Sequence, residues 1–167
     1  WVFYQLGKTI SRAEQTTRLT DIKYHRLLPK VTDVGSPIDV SQWNALLRSV
    51  AGYHGYRRIQ SRGMTPETVA EYILLNPMFP RSVACCVRQI RGYLDLLSGN
   101  PDLADVSFTP GGLVELEAFS VLPIKQIIGQ GLHESLDRVQ INLQDLASAI
   151  SRTFFGVAPV SGAGQAQ

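Results

Sequence analysis

The chain is poor in the residues from which most recognisable sites are made. Its 167 residues include two cysteines and three histidines. The cysteines, Cys85 and Cys86, are adjacent. A helix turns neighbouring side chains about 100° apart, and sequence neighbours rarely meet disulfide geometry. They read as reduced thiols, which suits a cytoplasmic protein. Histidine is scarce and the Glu-x-x-His pairs of di-iron bundles are missing, so no metal site is expected. No apolar run approaches the ~20 residues that span a bilayer, and no signal-peptide pattern opens the chain. A membrane partner is therefore not expected. Glycine-rich phosphate loops, a nucleophile elbow and a Cys/His triad signature are also missing, and no cofactor is expected. Charge of one sign is scarce too. The net charge is +2 and the pI about 8.7, too mild for a dedicated nucleic-acid binder. The chain opens at Trp1 rather than methionine and reads as a piece of a longer protein.

What is present is enough to build a core. Apolar residues make up 44% and charged residues 18%, ordinary globular values that argue against bulk disorder. From Phe3 to Leu28 there is no proline, and Phe3, Leu6, Ile10, Ala13, Thr17, Tyr24 and Leu28 share one side at helical spacing. Pro29 stops this helix before a turn-rich stretch to Ser36-Pro37. A second helix is predicted from Ser41, with Trp43, Leu46, Leu47 and Val50 buried. Gly52 and Gly55 are expected to loosen the chain before Tyr56-Arg57-Arg58. Thr65-Pro66-Glu67 starts a third helix, which runs to Asn76-Pro77. A fourth runs from Ser82 to Leu97 with Val83, Cys86, Val87, Ile90, Leu94 and Leu97 on one face. After a linker-like stretch over 102–112, Leu113 to Val121 predicts a short helix, broken or kinked near Pro123. In the last helix, expected to be the longest, Leu132, Leu136, Val139, Leu143, Leu146, Ile150 and Phe154 step by fours and threes like a coiled-coil seam. No alternating strand pattern appears. The expectation is an all-α, multi-helix up-and-down bundle over 1–155 with a long first helix, followed by a mobile tail over 156–167.

Glu14, Arg18, Asp21 and His25 stand at i, i+4, i+7 and i+11 of the first helix, a column of alternating charge within roughly 60° of arc. The column lies between the apolar stripe and Ile22, so it borders the core. A buried polar network is expected there, with Arg18 bridging Glu14 and Asp21. A solvated face of i,i+4 pairs and a ligand or catalytic site remain open alternatives. His133 and Asp137, one turn apart on the last helix, have a spacing that could orient an imidazole or place two metal ligands, though no complete ligand set accompanies them. If the protein is an enzyme, Glu14, Asp21, His25 and His133 are its candidate groups. Arg57, Arg58, Arg62, Arg81, Arg88 and Arg91 concentrate positive charge in the middle third. They form either a solvated surface, the favoured reading, or a contact for an anionic partner or phosphate-bearing ligand, since arginine forks suit carboxylates and phosphates. Arg12, Arg57, Arg58 and Arg81 join the charge column as candidate binding residues.

Several of these segments resemble a known family. They are Gly7, Arg12-Ala13-Glu14, Thr17-Arg18-Leu19 and Asp21-Ile22-Lys23-Tyr24-His25, ending in Leu27-Leu28-Pro29. Further matches are Gln42-Trp43 with Leu46-Leu47-Arg48-Ser49, then Phe79-Pro80-Arg81-Ser82-Val83, and finally Gln130-Gly131-Leu132-His133-Glu134 with Leu136-Asp137. In this order the chain is similar to the alpha-E family of bacterial helical domains, and looks like the C-terminal half of a longer member. Two positions depart from that pattern: Lys8 replaces an arginine, and Ser11 replaces the glutamate that would precede Arg12. The loss at Ser11 weakens any acidic site on this helix. The resemblance implies a protein partner, an ATP-grasp-type ligase or a transglutaminase-like protein, in an amide- or peptide-bond-forming system. It does not imply that the domain is itself an enzyme.

Overall fold

A computed structural model describes residues 1–27, 37–60, 63–99 and 111–156, with side chains placed for 1–23, 40–60, 63–99 and 112–156. Leu28, the turn after it, Arg62, most of the expected linker and the tail beyond Gly156 lie outside the described residues. Among the described residues there are eight helices and no strand: α1 (Val2–Leu27), α2 (Pro37–Ser49), α3 (Tyr53–Ile59), α4 (Pro66–Leu75), α5 (Val83–Ser98), α6 (Gly111–Ser120), α7 (Ile124–Gly129) and α8 (Leu132–Phe155). No helix among them is long and apolar enough to cross a membrane.

Helix starts follow local chemistry. Thr65 caps α4 by accepting from the Thr68 N–H, and the Thr68 hydroxyl answers the Thr65 N–H, with Pro66 in the first turn. Ser82 caps α5 by accepting from the Cys85 N–H. The second helix begins four residues before the expected Ser41, at Pro37, because a proline needs no N–H partner in a first turn. The stretch expected to be loose at Gly52 and Gly55 is instead the short helix α3. The break expected near Pro123 is present, α6 ending at Ser120, and past it the chain forms a further short helix, α7, that was not expected. The last helix, at 24 residues, is shorter than the first, at 26.

Helices α1, α5, α6 and α8 close a ring in which each packs on the next, α1 on α5, α5 on α6, α6 on α8 and α8 on α1. Their interior is the main core, built from Leu6, Ile10 and Ala13, the predicted α5 stripe, Leu113 and Leu116, and the α8 seam from Leu132 to Ile150. A second core holds Trp43, Leu46, Leu47, Val50, Tyr56, Val69, Tyr72, Ile73 and Phe79. Helix α4 serves both, sending Ala70 and Leu74 into the first and Val69, Tyr72 and Ile73 into the second. The buried face of α1 is half threonine: Thr9, Thr16, Thr17 and Thr20 are all within it. Three of the hydroxyls turn back on the helix, Thr16 donating to the Arg12 carbonyl at 3.0 Å, and Thr17 to that of Glu14 and Thr20 to that of Thr16, each at 2.8 Å.

Candidate functional site

The charge column of α1 does not form the expected buried network. Glu14 is paired with Arg18, but Arg18 is 56% exposed and Glu14 28% exposed, so the pair sits on a solvated edge. Arg18 does not bridge to Asp21. Helical side chains lean towards the N-terminus of their helix, which carries Arg18 back to Glu14 and away from Asp21. Asp21 instead reaches α8, where its Oδ1 lies 2.7 Å from Nδ1 of His133. That carboxylate is the first cause of a His133 pKa raised above the ordinary imidazole value, with Glu134 and Asp137 adding smaller contributions. Asp21 and His133 thus form an oriented acid–imidazole pair that pins α1 to α8. The side chain of His25 lies outside the described residues. Among the described residues no three His, Cys, Asp or Glu side chains gather as a metal cluster.

The thiols offer no nucleophile. Cys85 and Cys86 are both buried and unbridged. Burial pushes the Cys86 thiol up to about 12, against the opposing pull of Arg12 and Arg81.

The Arg-rich middle meets α1 at the loop Asn76-Pro77-Met78-Phe79-Pro80-Arg81-Ser82, whose polar groups are held from several sides. Asn76 Oδ1 accepts from the N–H groups of Met78 and Phe79, at 2.9 and 3.0 Å. Arg88 donates to the Pro77 carbonyl at 2.7 Å, and Arg12 reaches that of Pro80 at 3.4 Å. The Thr16 hydroxyl lies 2.9 Å from the Arg81 carbonyl and 3.0 Å from that of Arg12, one proton serving both. Phe79 is buried and stacks on Tyr72, with ring centroids 4.8 Å apart at 20°. Met78, on the same loop, is 81% exposed.

This loop walls a hollow of about 430 Å³ whose other side is Ala51, Gly55, Arg58 and Ile59. A second hollow of about 240 Å³ lies along α3 and α4, lined by Tyr56, Gln60, Thr68 and Glu71 among others. Ala51 sits at the end of α2 in the left-handed region, φ 57°, where the Gly52 N–H closes back on the Leu47 carbonyl at 2.7 Å. Gly55 is required by packing, since a Cβ there would stand well inside van der Waals contact of the Tyr72 hydroxyl oxygen. A third hollow, about 210 Å³, lies between α6 and α8 beside Phe119, Arg138 and Asn142. None of these three is lined by Glu14, Asp21 or His133.

Of the residues expected to bind, Arg58 lines the larger hollow; Arg81 stands in the adjoining loop and Arg12, on α1, donates to the Pro80 carbonyl of that loop, neither of them lining the hollow. Arg57 is exposed on α3. Arg91 is engaged elsewhere, in a two-pronged pair with Glu117 that ties α5 to α6 at 2.7 Å on each prong. The same pair holds the Glu117 carboxyl below its usual range. Sequence reasoning missed Ile59, Tyr72 and Met78, which complete the hollow. The available signal was Gly52 and Gly55 beside three aromatic residues, a pattern of close packing as much as of looseness.

A family profile, Alpha-E, described as a predicted alpha-helical domain with a conserved ER motif, matches residues 1–155. No curated protein and no solved structure matches the chain. No Glu-Arg dipeptide occurs in its sequence, and the residue before Arg12 is the exposed Ser11. With the match running from the first residue of the bundle to the last residue of α8, the chain belongs to the Alpha-E family.

Proposed function

We propose that this chain is a non-catalytic, cytoplasmic binding module that works beside an ATP-grasp-type amide or peptide ligase and holds the ligase or its peptide. The observation that carries the reading is the separation of chemistry from concavity. Glu14, Asp21 and His133 are paired along the solvated α1–α8 edge, whereas the hollows by α3, α4 and the 76–82 loop are lined mainly by aromatic and apolar residues, with Arg58 the charged residue of one and Glu71 that of the other. Such a surface binds; it lacks the convergent acid, base and nucleophile of a working active site. The test is co-purification with a ligase of this type, or with a transglutaminase-like protein, followed by ligase turnover with and without the chain. Stable association and altered turnover are expected. A ligase that neither binds nor responds would overturn the proposal.

The competing reading, an enzyme acting on peptide or amide bonds through Glu14, Asp21, His25 and His133, has one observation in its favour. The Asp21–His133 pair orients an imidazole as a catalytic dyad would. Unchanged function of the ligase system on His133→Gln supports the binding module. A loss of 100-fold or more, on the order of a general base's contribution, would establish the enzyme instead.

A further inference from the structure

The hollows of 430 and 240 Å³ share Ile59, Tyr72 and Asn76, so they are two halves of one cleft divided by a tyrosine. Tyr72 is only 7% exposed, its ring fixed by Phe79 on one side and Tyr56 on the other. Among the described residues its hydroxyl has no hydrogen-bond partner, unlike that of Tyr56, which pairs with Thr68 at 2.8 Å. The Tyr72 oxygen is also not sealed away, because the only fully enclosed unpartnered side-chain polar atom among the described residues is Asn44 Oδ1. A buried phenol that opens on a cleft without a protein partner is a hydrogen-bonding group waiting for a ligand.

The one charged side chain that lines the larger half is Arg58. Beyond its lining, Arg12 and Arg88 are bonded to the Pro80 and Pro77 carbonyls of the 76–82 loop, and Arg81 follows Pro80 in the chain. None of these four guanidinium groups has a carboxylate partner among the described residues. The rim is apolar, with Ile59 60% exposed beside Met78. Glu71 lines the smaller half and opposes any polyanion laid along the whole cleft. A phosphodiester chain therefore fits poorly, and a peptide with an isolated acid between apolar residues fits well.

We infer that the cleft binds an acidic peptide segment of a partner protein. An aspartate or glutamate carboxylate pairs with Arg58, a flanking apolar side chain packs between Ile59 and Met78, and the Tyr72 hydroxyl bonds to the peptide backbone. The inference rests on the binding-module reading and gives it a site and a ligand class.

The test uses the whole chain and a short blocked peptide carrying one aspartate flanked by leucines, followed by calorimetry. Replacing that aspartate by asparagine is expected to weaken binding about tenfold, the loss of one charge-assisted hydrogen bond. Arg58→Ala, at an exposed site outside both cores, should weaken the aspartate peptide about tenfold and erase the aspartate–asparagine distinction. Tyr72→Phe should weaken both peptides severalfold without moving the melting temperature. The inference is overturned if the wild-type chain does not prefer the aspartate peptide, if both variants bind as the wild type does, or if a single-stranded oligonucleotide binds more tightly. A chain that takes the aspartate peptide but ignores the ligase overturns only the ligase assignment. A chain that binds the ligase through another face and ignores the peptide overturns only the cleft.

Discussion

At the scale of single residues the outcome turns on exposure. Arg18 holds Glu14 in an i,i+4 pair with more than half of the arginine in water. Arg18→Ala should therefore cost under about 1 kcal/mol in a urea titration, as exposed pairs do. A loss of ~3–5 kcal/mol would mean that the column is a buried network after all. The column was legible in the sequence because helical spacing puts Glu14, Arg18 and Asp21 on one side. Its partners were not. Arg18 leans back towards Glu14, and Asp21 finds a histidine 112 positions away, a pairing that no local pattern encodes. The cleft was half legible in the same sense. Arginines at 58 and 81 stood out by charge, whereas nothing in the sequence singles out Tyr72, whose hydroxyl is left without a hydrogen-bond partner among the described residues only by the packing.

At the scale of elements, the apolar stripes of α5 and α8 were legible because burial follows the 3.6-residue period directly. Glycine was misread because its two uses, freedom and closeness, look alike in a sequence. Gly112 shows the second. A Cβ there would come 2.8 Å from the Asn142 carbonyl oxygen of α8, a backbone atom that cannot swing aside. Gly112→Ala should destabilise the protein by ~1–3 kcal/mol in chemical denaturation, as overpacking does. Gly92, inside α5 with nothing within 4 Å of its virtual Cβ, is the matched control. Gly92→Ala should stabilise by ~0.5–1 kcal/mol, because alanine is the better helix former. Equal effects of the two changes would show that α6 and α8 are not in backbone contact. The short helices α3 and α7 escaped sequence reading because tertiary packing, not propensity, holds helices of six or seven residues.

At the scale of the whole molecule, the ring closes where α1 meets α8, and the Asp21–His133 pair marks that seam. Because the folded state raises the His133 pKa, the pair's contribution is fully present below the unfolded imidazole value of about 6.5 and is lost as pH rises through the folded value. Thermal unfolding of the wild type and Asp21→Asn should therefore differ most in mild acid and converge in mild alkali. A gap that stays constant across that range would show that the imidazole does not titrate against Asp21. The seam also has a bearing on how the chain is made. Helix α1 leaves the ribosome more than a hundred residues ahead of α8, one of the two helices it packs on in the ring, a delay of roughly ten seconds at ordinary synthesis rates. A face of leucine and isoleucine exposed for that long would invite aggregation. Four threonines on the face of α1 make it far less adhesive. Those at 16, 17 and 20 can already donate to carbonyls of their own helix, and need no partner to wait for.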